Sequence, residues 1–370
     1  MRIFLLTLFL TAASAATFAP FFKAMNPVKN SYIVKVKDGI DVKAVLAELP
    51  SGASVKYAFT DVLNGFAVDH IGSVSALTKL PFVEYVEEDS MAKSDVEWGC
   101  DRLDQRNLPL DGVMNIYGTG AGANIFILDT GIRYTHVEFG GRAEFFWDYE
   151  TFGDGTDCNG HGTHCAGTAG GTSVGVAVQA TVHSVRVLPC TGSGPTSNII
   201  AGLNAVAAGS PKPGVASLSS SAGPSTSLDN AVRDLINSGV PTVVSAGNGS
   251  ADACAFSPAR VATAETVAST TSTDTRSSFS NHGTCVDIFA GGSSIRSAHH
   301  PTDTSYTIMS GTSQAAPHVA GAIAVHLAAG RCSSGATCKD KLRNDATTGT
   351  VINPGPGTPN RLLYVENPTV

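Results

Sequence analysis

Ala123-Asn-Ile-Phe-Ile-Leu-Asp-Thr-Gly131 is an almost unbroken apolar run that stops at a carboxylate, with a glycine two residues on. A strand with one wet face would alternate apolar and polar side chains, and this one does not. Both of its faces are therefore expected to be covered, as in a parallel sheet flanked by helices. Residues 181–188, 214–218 and 241–244 read the same way, with helix-like segments between them. Several runs end in small or polar residues: Asp129-Thr130-Gly131, Ser219-Ser220-Ser221 and Ser245-Ala246-Gly247-Asn248. Open parallel sheets place their ligand sites just outside the carboxyl ends of their strands. From about residue 98 onward the expected fold class is thus α/β, a doubly wound, mostly parallel sheet with helices on both faces.

Upstream of that sheet, residues 31–88 read as a small α+β module. Strands are expected at 31–37, 55–59, 65–70 and 82–86, and helices at 42–49 and 73–80, the second and first of these helices ending at Pro81 and Pro50. The order β-α-β-β-α-β is the split βαβ arrangement. Residues 89–97 are polar and aperiodic, as a linker would be. Met1-Arg2, the apolar stretch 3–10 and Ala13-Ser14-Ala15 have the three parts of a secretory signal peptide over residues 1–15. That apolar stretch is too short to span a bilayer, and no second one follows.

The 370 residues are 42% hydrophobic and 15% charged, a globular composition. A formal charge of −7 without a basic cluster argues against nucleic acid as a partner. The eight cysteines suit an exported chain that keeps disulfides, and none has zinc-finger spacing. Cys332 and Cys338 are close enough to close a small local loop. The other pairings do not follow from counting.

Four residues stand out, and each has an ordinary reading alone. Asp129 ends an apolar strand, where an Asx turn or helix cap is common. His161 precedes a Gly- and Ala-rich helical stretch; imidazole suits a general base, and a core histidine equally. Ser313 precedes a long Ala-rich segment to about residue 329, where the helix amides favour developing negative charge and an N-cap serine is equally usual. Pro317 is expected in the first turn of that helix. Asn248 beyond a buried strand could donate to an oxyanion or form a turn. Together they supply nucleophile, base, orienting acid and oxyanion donor, the set that acyl transfer needs. The i, i+3 pair His161 and His164 leaves a zinc hydrolase as a competing reading, without an HExxH glutamate.

Ile127-Leu-Asp-Thr-Gly-Ile132, Asn159-Gly-His-Gly-Thr-His164 and Gly311-Thr-Ser-Gln-Ala-Ala-Pro-His318 resemble the three signatures of the subtilases, in that family's order. Cys165 points to the proteinase K branch. The resemblance implies a secreted serine endopeptidase that acts on proteins or peptides as a monomer, without a membrane partner. Ser313 would be the nucleophile, His161 the base, Asp129 its orienting partner and Asn248 the oxyanion donor. Residues 16–90, with their module 31–88, resemble the family's inhibitor-like propeptide, which the enzyme cuts off and which inhibits it transiently. The peptidase domain would be residues 91–370. Substrate would lie as an extra strand between Gly192-Ser-Gly194 and residues 217–221, including Ser219, Ser220 and Ser221. The family also suggests the pairs Cys158–Cys190 and Cys254–Cys285, with Cys165 as a thiol beneath His161 and Cys100 left over.

No cofactor is implied for the chemistry, and structural calcium is possible. Asp287 aligns with a family calcium ligand, and Asp101, Asp104 and Gln105 fall where some relatives bind another ion. Caps or salt partners account for these residues equally. Gln314-Ala315-Ala316 and Ser220-Ser221-Ala222 depart from the family's usual Met-Ala-Thr and Leu-Gly-Gly. The second departure bears on the substrate pocket and leaves a peptide-binding, inactive homologue as the alternative.

Overall fold

A computed structural model describes residues 18–24, 27–69, 72–90 and 96–366. The chain divides into two compact units, Met1–Lys93 and Ser94–Val370. The expected signal peptide and the expected cut near residue 91 lie outside the described residues.

The first unit is a five-stranded sheet in the order β1-β5-β2-β4-β3. Its strands are β1 (Phe21–Phe22), β2 (Pro27–Val36), β3 (Ser54–Phe59), β4 (Gly65–Asp69) and β5 (Val83–Ser90). The helices α1 (Val42–Val45) and α2 (Val74–Thr78) complete the split βαβ order. Asp41 and Ser73 cap them by accepting from the amides of Lys43 and Ser75. Helix α1 is shorter than the sequence suggests. The chain tightens to a 3₁₀ turn over Leu46–Glu48, and Leu49 turns extended at ψ 151° because a residue before proline avoids the helical region. β5 runs on to Ser90, so the start of the expected linker is strand. Val34, Val36, Phe66, Val68, Leu77 and Val86 form this unit's core.

The second unit opens with α3 (Trp98–Asp101) and is built on β6 (Asn124–Asp129), β7 (Ala143–Asp148), α4 (His161–Gly170), β8 (Thr181–Arg186), α5 (Thr196–Gly209) and β9 (Gly214–Leu218). It continues through α6 (Thr226–Asn237), β10 (Thr242–Ser245), β11 (Glu265–Thr270), β12 (Ile288–Gly291), and a hairpin of β13 (Ile295–Ala298) with β14 (Tyr306–Met309). It ends with α7 (Thr312–Ala328), α8 (Gly335–Asp345), β15 (Thr347–Thr348) and β16 (Arg361–Leu362). The nine-stranded sheet has the order β15-β16-β12-β11-β10-β9-β6-β8-β7. All its pairings are parallel except β15 with β16.

The lack of alternation in β6 has a direct structural cause. Ile125 and Ile127 enter a core with Cys165, Ala166 and Ala169 of α4 and Ala316, Val319 and Ile323 of α7. Phe126 and Leu128 enter the opposite core, with Leu203 of α5 and Leu228 and Val232 of α6. Both faces are dry, and each such side chain contributes about 1.5–3 kcal/mol on burial. Two strand ends differ from expectation. Pro241 stays outside β10 because it has no amide for the ladder, and its carbonyl accepts from Ala216 instead. β8 stops at Arg186, because the amides of Val187 and Leu188 both turn onto the Asp129 carbonyl, at 2.8 and 3.1 Å. Among the described residues no helix is long and apolar enough to cross a membrane.

Candidate active site

Asp129 is the last residue of β6 and is fully buried. Its carbonyl is held by the end of β8, as above, and its Oδ1 accepts from the Thr130 amide at 2.8 Å. Both carboxylate oxygens face Nδ1 of His161, at 2.8 and 2.9 Å. His161 is the first residue of α4, entered through Gly160 at φ 107°, a left-handed conformation that favours glycine. A side chain at Gly162 would reach within 2.2 Å of the Gly131 carbonyl, so glycine there lets α4 approach the end of β6. Burial opposes charge on the imidazole, but Asp129 and Cys165 outweigh it and hold the pKa well above its usual value. Burial also pushes the Cys165 thiol up, so that group is uncharged near neutrality and Asp129 is the effective cause.

Ser313 is the second residue of α7. Its hydroxyl donates to the Ser219 carbonyl at 2.9 Å. Pro317 sits in the second turn of the helix, not the first as the sequence suggests. With no amide, it leaves the Ser313 carbonyl, four residues back, without its helical donor. That carbonyl accepts instead from the Cys165 thiol at 3.3 Å and the Ser219 hydroxyl at 3.1 Å. Cys165 also lies 3.9 Å from Nδ1 of His161, so one small thiol touches both segments.

Asn248 lies beyond β10. Its Oδ1 accepts from the amide and hydroxyl of Thr312, at 2.8 and 3.0 Å. With the oxygen fixed by two donors, the Nδ2 amide is the group left to donate. The loop is braced by Asn281, whose Oδ1 accepts from Gly249 and Ala251 and whose Nδ2 donates to Ala246.

The two expected edge segments differ in character. Ser217 lies inside β9, between β6 and β10, and is not an edge residue. Ser219 is buried, Ser220 is half-buried with a hydroxyl that has no hydrogen-bond partner, and Ser221 is exposed. Gly192 has φ 78° and packs beside Asn159. Asn159 donates to the Cys190 carbonyl at 2.8 Å and accepts from the His161 amide at 3.2 Å. The Cys158–Cys190 disulfide joins the same two loops. Cys254–Cys285 and Cys332–Cys338 are the other disulfides, and Cys100 and Cys165 are free and buried.

Asp157 and Asn159 are positioning residues to which the sequence reading gave no role. The buried Asp157 carboxylate accepts from Thr130, from the amides of Asn159 and Gly160, and from both the amide and hydroxyl of Thr163. It thereby fixes the start of α4 against the residue after Asp129. The available signal was an Asp two residues ahead of Asn-Gly, the pattern of an Asx turn.

Among the described residues two groups have metal-ligating composition: Asp129 with His161 and Cys165, and Glu97 with Cys100 and His318 of α7. In the first, Nδ1 already faces the carboxylate. In both, burial pushes the thiol up, so each is a neutral thiol in the metal-free chain. His164 turns away, with Nε2 3.1 Å from the Ile295 carbonyl, and burial holds its pKa down at about 4. The two histidines therefore do not converge as a zinc hydrolase would need.

Residues 120–362 match the family model described as the Subtilase family. The chain belongs to the subtilase family. An extracellular serine proteinase of Thermus sp. (strain Rt41A) is 46% identical over 333 residues, covering 88% of this chain and 81% of that protein. An alkaline serine exoprotease A of Vibrio alginolyticus is 45% identical over 323 residues, 84% of this chain and 60% of that protein. The crystal structure of a cold adapted subtilisin-like serine proteinase superposes with a TM-score of 0.72 at 48% identity, covering 74% of this chain and 99% of that one. This subtilase is a secreted serine-type endopeptidase with the subtilisin-like α/β fold.

Proposed function

We propose that this subtilase cuts peptide bonds with Ser313 as nucleophile, His161 as base, Asp129 as its partner and Asn248 as oxyanion donor. The observation that carries the reading is the contact of His161 Nδ1 with both oxygens of a fully buried Asp129. It keeps the proton on Nδ1, so that Nε2 is the basic nitrogen. A turn of the Ser313 side chain away from the Ser219 carbonyl gives its proton to Nε2 as Oγ attacks the scissile carbonyl. The new oxyanion takes hydrogen bonds from Asn248 Nδ2 and the Ser313 amide. The imidazolium then protonates the leaving amine, and water repeats the sequence on the acyl-enzyme, releasing the acid and restoring the serine.

The same reading makes residues 1–15 a signal peptide and 16–90 a propeptide that the enzyme removes from itself and that inhibits it transiently. Gly192 and the run Ser219 to Ser221 flank the substrate strand, with main-chain hydrogen bonds supplying affinity. Structural calcium would be held near Asp101, Asp104 and Gln105. Asp101 already accepts from Gln105 and from the Gly112 amide. Burial, and then the neighbouring Asp111 carboxylate, push the carboxyls of Asp101 and Asp104 up against the pull of backbone amides. A hard cation relieves such crowding.

A serine-directed phosphonate is expected to add once to the mature enzyme, on the peptide containing Ser313, and to abolish activity. An adduct on another residue, or activity lost to a chelator while the phosphonate leaves it intact, removes this reading. Replacing Asn248 by Ala is expected to lower kcat by about 10²- to 10³-fold with KM nearly unchanged. That range is carried over from the matching amide of subtilisin, a relative. Stopped assays over a substrate series separate the two constants, and an effect mainly on KM would remove Asn248 from the oxyanion site.

A further inference from the structure

Asp287, just before β12, does not fit a bound calcium ion, because a cation of the chain's own occupies its oxygens. Lys339 of α8 is buried and reaches in from 52 residues away. Its Nζ donates to Asp287 Oδ2 at 2.5 Å, to the Ala262 carbonyl at 3.0 Å and to the Ala264 carbonyl. An ammonium has three protons, and here each has an oxygen. Residues 261–264 form a turn closed by the Ala264 amide on the Val261 carbonyl at 3.0 Å, and the turn presents the carbonyls of 262 and 264 to the same ammonium. Arg343 Nη2 takes the remaining Asp287 oxygen at 2.8 Å, and the Thr266 amide shares the first at 3.0 Å.

Glu265 is buried beside the cluster, with Oε2 4.0 Å from Nζ and no hydrogen-bond partner on either oxygen; burial, and then Asp287, raise its pKa to about 8. Two backbone carbonyls and the Asp287 carboxylate, with the Glu265 carboxyl beside them, are hard oxygens of the kind calcium selects at 2.3–2.6 Å. An ion at those distances would occupy the space of the ammonium itself. Lys339, Arg343 and Ala262 also line a surface cleft, so the cluster has a route from solvent.

We propose that Lys339 is a built-in substitute for a divalent cation: its ammonium closes the Asp287 oxygen ring against metal, and removing it uncovers a calcium site. The inference stands apart from the catalytic reading, since calcium binding is measured without turnover.

The test uses mature enzyme blocked with a serine-directed phosphonate to prevent self-digestion. Bound calcium is counted after equilibrium dialysis, and Tm is compared in EDTA and in millimolar CaCl2. Lys339→Ala is expected to bind one more calcium per molecule than the unaltered chain. Its Tm should gain about 5 °C or more on adding CaCl2, beyond any gain of the unaltered chain. Recovery of Lys339→Ala in folded form only when CaCl2 is present supports the proposal equally. A folded Lys339→Ala that takes up no additional calcium overturns it. Should that variant fold in neither condition, Asp287→Asn decides. An unchanged calcium count relative to the unaltered chain upholds the ammonium as occupant, and loss of one calcium overturns it.

Discussion

Expressed with Ser313→Ala, the chain is expected to remain at full length, while the unaltered chain is found shortened by roughly its first 90 residues. Activity of the variant on a peptide substrate, after its propeptide has been removed by another protease, should be lower by about 10⁴-fold or more. The size of the effect follows from the division of labour. Without Oγ there is no acyl-enzyme, and what remains is water attacking a carbonyl held near Asn248 and the Ser313 amide. The substitution should leave the fold intact. The Ser313 carbonyl keeps both of its donors, Cys165 and Ser219, and among the described residues the bond lost is that from Oγ to the Ser219 carbonyl. Intact mass spectrometry reads the first effect. Equal trimming of both forms by the host would refute self-processing while leaving the catalytic assignment to the kinetics.

Asp129→Asn is the second large effect. Two donors converge on this buried carboxylate, the Thr130 amide and His161 Nδ1. A carboxamide has one oxygen. If that oxygen faces Thr130, its NH₂ faces the imidazole and drives the ring proton to Nε2, where the ring can no longer accept from serine. A loss in kcat of about 10⁴-fold is expected, the size known for triads on another fold, with KM little changed.

The pH profile gives a second readout. In the unaltered enzyme the imidazole pKa lies well above its usual value, so the base is charged and idle below that raised pKa. Activity appears only as pH rises through it. Without the carboxylate, burial dominates and the acid limb of kcat/KM should shift to lower pH. A limb that stays in place would show that Asp129 does not control the imidazole. Stability has the opposite sign. A histidine whose folded pKa is raised stabilises the fold fully below its unfolded pKa, near 6.5, and that contribution is lost as pH rises through the folded value. The unaltered enzyme should lose stability relative to Asp129→Asn over that interval.

What the sequence revealed divides along physical lines. The two-faced burial of β6 is a local pattern, so the layered sheet could be read from residues 123–131 alone. The three motifs lie at strand ends and helix starts, where residue type and position carry the chemistry. Contacts between distant side chains left no such trace. Nothing near Asp287 announces Lys339, and nothing near Ser219 announces that both its hydroxyl and its carbonyl meet Ser313. The helix expected over 42–49 stops short of Leu49 because the restriction imposed by Pro50 reaches back before the proline itself. Ser217 lies inside the sheet and not at the edge its sequence suggests, because the residue at which a strand leaves its sheet depends on its neighbours' lengths.

Pro317 has a consequence for how the enzyme can change its diet. By withholding one amide, it makes the Ser313 carbonyl a shared anchor for the helix bearing the histidine and for the segment leaving β9. Ser219 is bound into that anchor, whereas Ser220 and Ser221, one and two residues on, are not. If Ser220 and Ser221 flank the substrate as proposed, variation in cleavage preference can accumulate from residue 220 outward with little disturbance of Ser313, and residue 219 is the boundary that such variation must respect.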